Sequence, residues 1–316
     1  MNHIIVTIDT EGHDGKDPIS HLILGKTKDG FFGIDKIMDI CDNFEIKVLF
    51  FVDFAEAWDY GEDRIKSIVT HIANRGHDIG VHIHPDHMAD HKRLFLYEYS
   101  KQEQYEIIKK CTNLYQEFLG EKPKAFRAGK YGANRDTLDV LNELGYEFDF
   151  SQFYKQKWCG INPPITLISP VKYKGIIEIP VTVYRSLKIG RYERFDKLDA
   201  VMDKHELKYM IKKYSNQIDD IIGVLFYHSF SMLEWRDAPD NPVANKKEIN
   251  KFIDALEFIN KTKNLQFISL KELEKKININ NPSQKMLINK NFFTSFFFSI
   301  IRYINIKKMR KMKKMK

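Results

Sequence analysis

The sequence predicts an α/β fold, either a mostly parallel sheet or a (β/α) barrel. Short apolar runs alternate along the chain with segments whose apolar residues recur at helical spacing. Polar residues of the types that act in catalysis or bind metals come immediately after several of the apolar runs. In α/β folds functional residues gather at the carboxyl ends of the strands, so both observations indicate the same class.

The elements follow from the length and period of each segment. The predicted strands are residues 3–8, 46–52, 79–84, 124–127, 176–183, 222–228 and 265–269. The predicted helices are residues 34–43, 62–75, 101–119, 134–144, 205–217 and 245–262. Gly120 follows the longest of these helices, where a helix stop is expected.

The net charge of +7 is a property of the carboxyl-terminal segment. Residues 284–316 contain ten Lys and Arg residues and no acidic residue, so the rest of the chain carries a net charge of −3. A mildly acidic body argues against nucleic acid as a partner.

The cysteines and the amino terminus indicate a cytoplasmic protein. Cys41, Cys111 and Cys159 are far apart and lack metal-site spacing, which favours reduced structural thiols. The first predicted strand begins near His3, which leaves no room for a secretory signal.

The composition changes after residue 279, so we predict a body of residues 1–280 and a tail of residues 281–316. Residues 291–301 are Phe-rich and uncharged but too short to span a bilayer, which takes about 20 residues. With the basic residues of 284–316, they predict an amphipathic segment on an anionic membrane surface, at the inner face. A disordered basic tail or a helix packed on a partner subunit are the alternatives.

Four polar residues predict a metal site. Asp9 and Glu11 end one apolar run, and His82 and His84 end another. Residues two apart in a strand point to the same side, so each pair shares a side. Two imidazoles and one carboxylate make a site for a divalent metal and leave one carboxylate as a base. A metal that activates water beside a spare base is typical of a hydrolase.

Five short motifs in order resemble those of the NodB-like polysaccharide deacetylases, carbohydrate esterase family 4. The resemblance covers about residues 3–275. It implies a distorted (β/α) barrel with fewer than eight regular strands. The motifs are residues 7–12 (TIDTEG), 76–85 (GHDIGVHIHP), 126–132 (FRAGKYG), 145–151 (GYEFDFS) and 226–229 (FYHS).

The resemblance also implies a role for each matching residue. Glu11, His82 and His84 would bind one divalent metal, for which zinc is the best candidate; cobalt, nickel or iron would fit the same ligands. The catalytic residues would be Asp9 as general base, Arg127 as its orienting partner, the backbone N–H near Tyr131 as oxyanion donor, His228 as the acid for the leaving amine, and Asp149 as an orienting residue for Arg127 or His228.

The second motif departs from the usual pattern of the family. The second histidine usually lies four residues after the first, a position that Asp86 occupies here. We choose His84 for its strand phase, with His87 as the alternative ligand. The first motif also has Glu11 where the family usually has Asp.

The implied activity is the metal-dependent removal of an N-acetyl group from an acetamido sugar, in a glycan or a lipid-linked saccharide of surface polysaccharide biosynthesis. The same site could release another acyl group, such as formyl, from a lipid-linked amino sugar. A non-catalytic glycan-binding or scaffold protein with this fold is the alternative from another class.

Overall fold

This computed structural model describes residues 1–166, 169–216 and 221–276, together with residues 297, 298, 300 and 301. The strands in these residues are β1 (Asn2–Thr10), β2 (Lys26–Thr27), β3 (Gly30–Phe31), β4 (Leu49–Asp53), β5 (Asp78–Ile83), β6 (Ala125–Ala128), β7 (Phe148–Asp149), β8 (Val171–Tyr173), β9 (Ile176–Glu178), β10 (Val183–Ile189), β11 (Tyr192–Lys197), β12 (Ile222–His228), β13 (Leu233–Glu234), β14 (Val243–Ala244) and β15 (Leu265–Phe267). The α-helices in these residues are α1 (Ile34–Asp42), α2 (Ala57–Tyr60), α3 (Glu62–Asn74), α4 (Lys101–Leu119), α5 (Arg135–Leu144), α6 (Lys204–Ser215), α7 (Lys246–Asn260) and α8 (Leu270–Lys276).

The helices begin and end where local chemistry favours it. At the start of α4 the side chain of Ser100 accepts a hydrogen bond from the backbone N–H of Glu103, whose carboxylate in turn accepts from the N–H of Ser100. This reciprocal cap satisfies two backbone donors that the helix itself cannot pair. At the other end Gly120 adopts a left-handed φ of 74°, which glycine tolerates without strain.

One curled sheet organises the described part of the chain. Its strand order is β12-β1-β4-β5-β6-β7-β9-β8, and β15 pairs with the beginning of β1. The pairs are parallel except β8–β9. Helices cross between most of the parallel neighbours, as parallel pairing requires. The predicted distorted (β/α) barrel is therefore confirmed.

The sheet register brings the carboxyl ends of the central strands to one edge. Asp9 of β1 pairs with His228 of β12, and His82 of β5 pairs with Asp53 on one side and Arg127 on the other. Parallel neighbours in register carry their side chains on the same face. The sheet thus assembles residues that are distant in the sequence into one cluster.

The inner face of the sheet carries a separate apolar cluster below that edge. Ile5, Phe51 and Phe150 are fully buried in it. Along β1 the next residues on the same side are Thr7 and then Asp9, because side chains alternate in a strand. The apolar inner cluster therefore gives way to polar residues toward the carboxyl ends of the strands.

The predicted strand 176–183 is wrong in its extent. In the structure β9 ends at Glu178, and β10 begins at Val183 and forms a separate antiparallel hairpin with β11. Pro180 explains the break, because proline has no N–H to donate to a neighbouring strand. The hairpin itself was not predicted.

Most of the predicted tail lies outside the described residues. Phe298 is described and is buried, with its ring centroid 6.0 Å from that of Tyr209 on α6. Within the described residues, no helix combines the length and the apolar composition needed to cross a membrane.

The buried His77 makes the stability of the fold depend on pH. The backbone N–H of Val48 donates to His77 Nδ1 at 3.3 Å, so the fold uses this nitrogen in its unprotonated form. Burial lowers the pKa of His77 from 6.5 to about 4, although Asp42 nearby raises it.

We expect the free energy of unfolding to fall by about 3 kcal/mol as the pH decreases from 6.5 to 4, because the unfolded chain then binds a proton that folded His77 does not. His77→Gln should lack this component of the pH dependence in urea unfolding measured at several pH values. The exposed His71→Gln is the control and should keep it. An unchanged pH dependence in His77→Gln would contradict the assignment.

Candidate active site

Three side chains that could bind a metal converge just beyond the ends of β1 and β5. His82 Nε2 lies 3.1 Å and His84 Nε2 lies 2.9 Å from the same carboxylate oxygen, Oε2 of Glu11. One donor atom from each of the three lies within 4.8 Å of the others. The structure therefore brings together the three residues that the sequence predicts as metal ligands.

Both imidazoles are held in place by their surroundings. His82 Nδ1 donates to the backbone carbonyl of Arg127 at 2.8 Å, so its Nε2 faces Glu11. Histidine ligands of metals are usually fixed through the other ring nitrogen in this way. The ring of His84 lies against Gly129, where an added Cβ would approach it to 2.7 Å. The sequence analysis gave no role to Gly129, although it lies in the third motif.

The three groups form a strongly coupled electrostatic unit. Burial alone would raise the pKa of Glu11, but His84 and His82 hold it well below its ordinary value. Burial likewise works to lower the pKa of His82, but Asp9 and then Glu11 raise it to about 9. The carboxylate of Glu11 is therefore ionised, and its negative charge favours a positive charge on the imidazole of His82.

Arg127 joins the predicted base to this group. Its side chain is fully buried, and Nη1 donates to Asp9 Oδ1 at 2.6 Å. The same guanidinium donates to Thr7 Oγ1 at 3.1 Å and lies over the ring of Phe51. Asp9 is thus paired with Arg127 and held on the inner face of the sheet.

Tyr131 lies in an unusual turn after β6. Lys130 and Tyr131 have consecutive positive φ angles of 52° and 60°. Such a conformation costs about 1–3 kcal/mol for residues other than glycine, and it occurs often at functional sites. The Tyr131 hydroxyl accepts a hydrogen bond from Lys197 Nζ at 3.3 Å. The sequence analysis did not identify Lys197.

His228 borders the cluster from β12. Its Nε2 lies 3.7 Å from Glu11 Oε1, and its ring stacks on Phe230 with a centroid separation of 4.7 Å. Burial lowers the pKa of His228 to about 4, against the opposing effect of Glu11. The ring is therefore neutral near pH 7.

Asp149 lies near the cluster, but its carboxylate accepts hydrogen bonds from Ser151. The sheet register pairs it with Phe126 rather than with Arg127. Its carboxylate accepts hydrogen bonds from the hydroxyl of Ser151 at 2.6 Å and from the N–H of Ser151 at 3.2 Å. Its predicted role as an orienting residue for Arg127 or His228 stays a prediction.

His87, the alternative second histidine, faces a different group. Its Nδ1 lies 2.6 Å from Asp59 Oδ2, and its Nε2 lies 3.9 Å from Asp53 Oδ2. Asp53, Glu56 and His87 form a second set whose donor atoms lie within 4.8 Å of one another. The sequence analysis missed Asp53 and Glu56, although Asp53 directly follows a predicted strand.

The first group fits a divalent cation by its chemistry. Two imidazole nitrogens and a carboxylate oxygen are donors that zinc and similar ions accept. His82 is 1% exposed and Glu11 is 9% exposed, so a bound ion would be largely shielded from solvent. With three protein ligands, such an ion would keep coordination positions free for water and substrate.

Comparisons with known proteins place part of this chain beside a known family. Residues 32–148 match the family model for polysaccharide deacetylase, and this segment contains His82, His84, Arg127 and Tyr131. The predicted resemblance to the polysaccharide deacetylases is confirmed. The match of this segment supports the predicted enzyme class, a carbohydrate deacetylase.

Two of the similar solved structures illustrate the shared fold. A candidate polysaccharide deacetylase from Mycobacterium smegmatis aligns with a TM-score of 0.57 and 14% identity, over 92% of this chain and 94% of that one. Puue allantoinase aligns with a TM-score of 0.56 and 12% identity, over 89% and 91% of the two chains. At such low identity the likeness concerns the fold alone. A comparison with curated proteins gave no significant match.

Loss of the Arg127 guanidinium should destabilise this fold. We expect Arg127→Met to lower the free energy of unfolding by about 3–5 kcal/mol, because Asp9 would remain as a buried, unpaired charge. Urea unfolding measures this change. The exposed Arg191→Met is the control and should change stability by less than about 0.5 kcal/mol.

The double variant Asp9→Asn/Arg127→Met gives a further check. It should cost less than the sum of the two single changes, because both sides of the ion pair are removed. Strict additivity would mean that the pair does not couple.

Proposed function

We propose that this protein is a metal-dependent hydrolase that removes the N-acetyl group from an acetamido sugar of a glycan or lipid-linked saccharide. The main support is the convergence of Glu11, His82 and His84 on one point, with the Arg127–Asp9 pair beside them. The family match supports a carbohydrate deacetylase, and we propose surface polysaccharide biosynthesis as its setting.

We propose that Glu11, His82 and His84 hold one divalent ion, with Zn²⁺ as the first candidate. Such an ion supplies a Lewis acid that polarises a water molecule and the amide carbonyl. The protein contributes the orientation of the ligands: the carbonyl of Arg127 fixes the ring of His82, and Gly129 leaves room for the ring of His84.

Asp9 is the proposed general base. Its carboxylate is already oriented by Arg127, so it can accept the proton of the attacking water without first reorganising. The bond to Thr7 keeps the guanidinium in place while the charge on Asp9 changes. Arg127 therefore acts through Asp9 and is a positioning residue.

The leaving group and the carbonyl oxygen need separate partners. We propose that the backbone N–H of Tyr131 donates to the carbonyl oxygen as negative charge develops on it. His228 is the proposed acid that gives a proton to the leaving amine. Because its ring is neutral near pH 7, His228 must first receive a proton, and the one that Asp9 takes from the attacking water balances the one that the amine gains.

We propose that residues 1–280 form the catalytic domain and that residues 281–316 attach it to the inner face of a membrane. The support is compositional: an uncharged Phe-rich stretch followed by a cluster of basic residues. This placement favours a lipid-linked or nascent saccharide as substrate.

The roles of Asp9 and Glu11 can be separated by substitution. We expect Asp9→Asn to keep the bound metal and to lower kcat about 10²- to 10⁴-fold, because the base is lost but the ligands remain. Glu11→Ala should lose both the metal at this site and the activity. Elemental analysis and acetate release from acetylated amino-sugar substrates measure the two properties.

The exposed Asp14→Asn is the matched control and should leave both properties unchanged. Full activity in Asp9→Asn would mean that Asp9 is not the base. Mass spectrometry of the released acid distinguishes acetate from formate and so tests the choice of acyl group.

Membrane attachment can be tested on the full chain with vesicles. We expect the protein to float with vesicles that contain about one third anionic lipid and not with neutral vesicles, because each basic residue near an anionic surface contributes about 1 kcal/mol. Replacing Lys311, Lys313, Lys314 and Lys316 with Gln should reduce the bound fraction severalfold. Four exposed lysines of the body (Lys66, Lys109, Lys110 and Lys122) replaced with Gln serve as the control. Equal binding to both kinds of vesicle, or to neither, would contradict the proposed attachment.

A further inference from the structure

The side chains of Asp53, Glu56 and His87 form a second group next to the proposed active site. Asp53 and Glu56 are completely buried, and His87 is partly exposed with 21% of its side chain accessible. One donor atom from each residue lies within 4.8 Å of the others. The proposed catalytic steps do not use any of the three.

The hydrogen bond that His87 makes to Asp59 leaves its other ring nitrogen directed toward Asp53. His87 Nδ1 lies 2.6 Å from the carboxylate of Asp59, which leaves Nε2 on the side of Asp53. A carboxylate on the far nitrogen is the usual way in which a metal-binding histidine is oriented. The ring of His87 is thus preset to present Nε2 as a ligand.

The carboxylate of Glu56 has one unsatisfied oxygen. Oε1 accepts a hydrogen bond from the backbone N–H of Gly12, while Oε2 is buried and has no hydrogen-bond partner. Leaving a buried carboxylate oxygen without a partner is costly. Either a proton on Glu56 or a bound cation would relieve this cost.

The group gathers several acidic side chains, whose negative charge a bound cation would compensate. Two buried carboxylates lie in the group itself, and Asp59 adds a third at its edge. His87 is a partner of Asp53 that can carry a positive charge, but its Nε2 lies 3.9 Å from Asp53 Oδ2, which is long for an ion pair. A divalent cation would be coordinated by two carboxylates and one imidazole, a set that suits manganese, iron or zinc.

We propose that Asp53, Glu56 and His87 bind a second divalent cation, separate from the one held by Glu11, His82 and His84. This proposal goes beyond the deacetylase activity and does not depend on it.

A cation at this position would also stabilise the first group. Asp53 accepts a hydrogen bond from the backbone N–H of His84 at 3.3 Å, and Glu56 accepts one from Gly12, the residue after Glu11. The second group therefore braces both segments that carry the ligands of the first. Losing such outer partners typically weakens metal binding 10- to 100-fold.

The number of bound cations tests the proposal. The full chain is freed of metal with a chelator, dialysed against Mn²⁺ or Zn²⁺ alone, and analysed by elemental mass spectrometry. We expect two ions per chain in the unaltered protein, one in Glu56→Gln, one in Glu11→Ala and none in the double variant. The exposed Glu62→Gln is the control and should bind two.

Two further measurements distinguish the loss of a ligand from misfolding of the variants. His87→Gln, a change at a partly exposed side chain, should also bind one ion, and circular dichroism should show that each variant is folded. Adding Mn²⁺ should raise the Tm of Glu11→Ala but not that of the double variant.

One ion in both the unaltered chain and Glu56→Gln would overturn the second site, whatever the first site does. If Glu11→Ala instead bound as many ions as the unaltered chain, the first site and the proposed function would fail while the second site could stand. The two failures are therefore distinguishable.

Discussion

The buried ion pair between Arg127 and Asp9 is the contact on which the rest of the site depends. Burying a guanidinium is expensive unless its donors are satisfied, and here Asp9, Thr7 and the carbonyl of Phe150 accept its N–H groups. The backbone of the same arginine accepts the hydrogen bond of His82. One residue thus orients the proposed base through its side chain and a proposed metal ligand through its carbonyl.

The same contact decides how charge is distributed around the site. Asp9, Glu11, Asp53 and Glu56 are all buried near the carboxyl edge of the sheet. Arg127 forms its ion pair with Asp9, so the other three carboxylates must be balanced by histidines, protons or bound cations. The two clusters of possible ligands contain those three carboxylates and three histidines. Carboxylates and imidazoles in this combination are donors that suit divalent cations.

The sequence predicts most of the sheet because buried parallel strands are short apolar runs, and polar residues at their ends stand out. This pattern identified Asp9, His82, Arg127 and His228, which the register then aligns at one edge. It failed at residues 176–183, since apolar content cannot show that Pro180 ends pairing with the sheet. The pattern also missed Glu56, which reaches the site through a hydrogen bond from the N–H of Gly12, 44 residues earlier in the chain.

The choice between His84 and His87 shows how local geometry can replace a familiar spacing. Two residues after His82 the chain has only just left β5, so His84 still points to the side of His82 and reaches Glu11. The ring fits there because Gly129 has no Cβ to push it away. His87 lies beyond the turn of residues 85–87, and its ring turns toward Asp53 and Asp59 instead. The shorter spacing therefore keeps two histidines on Glu11 and leaves a third for the neighbouring group, which is why one chain segment can serve two sets of ligands.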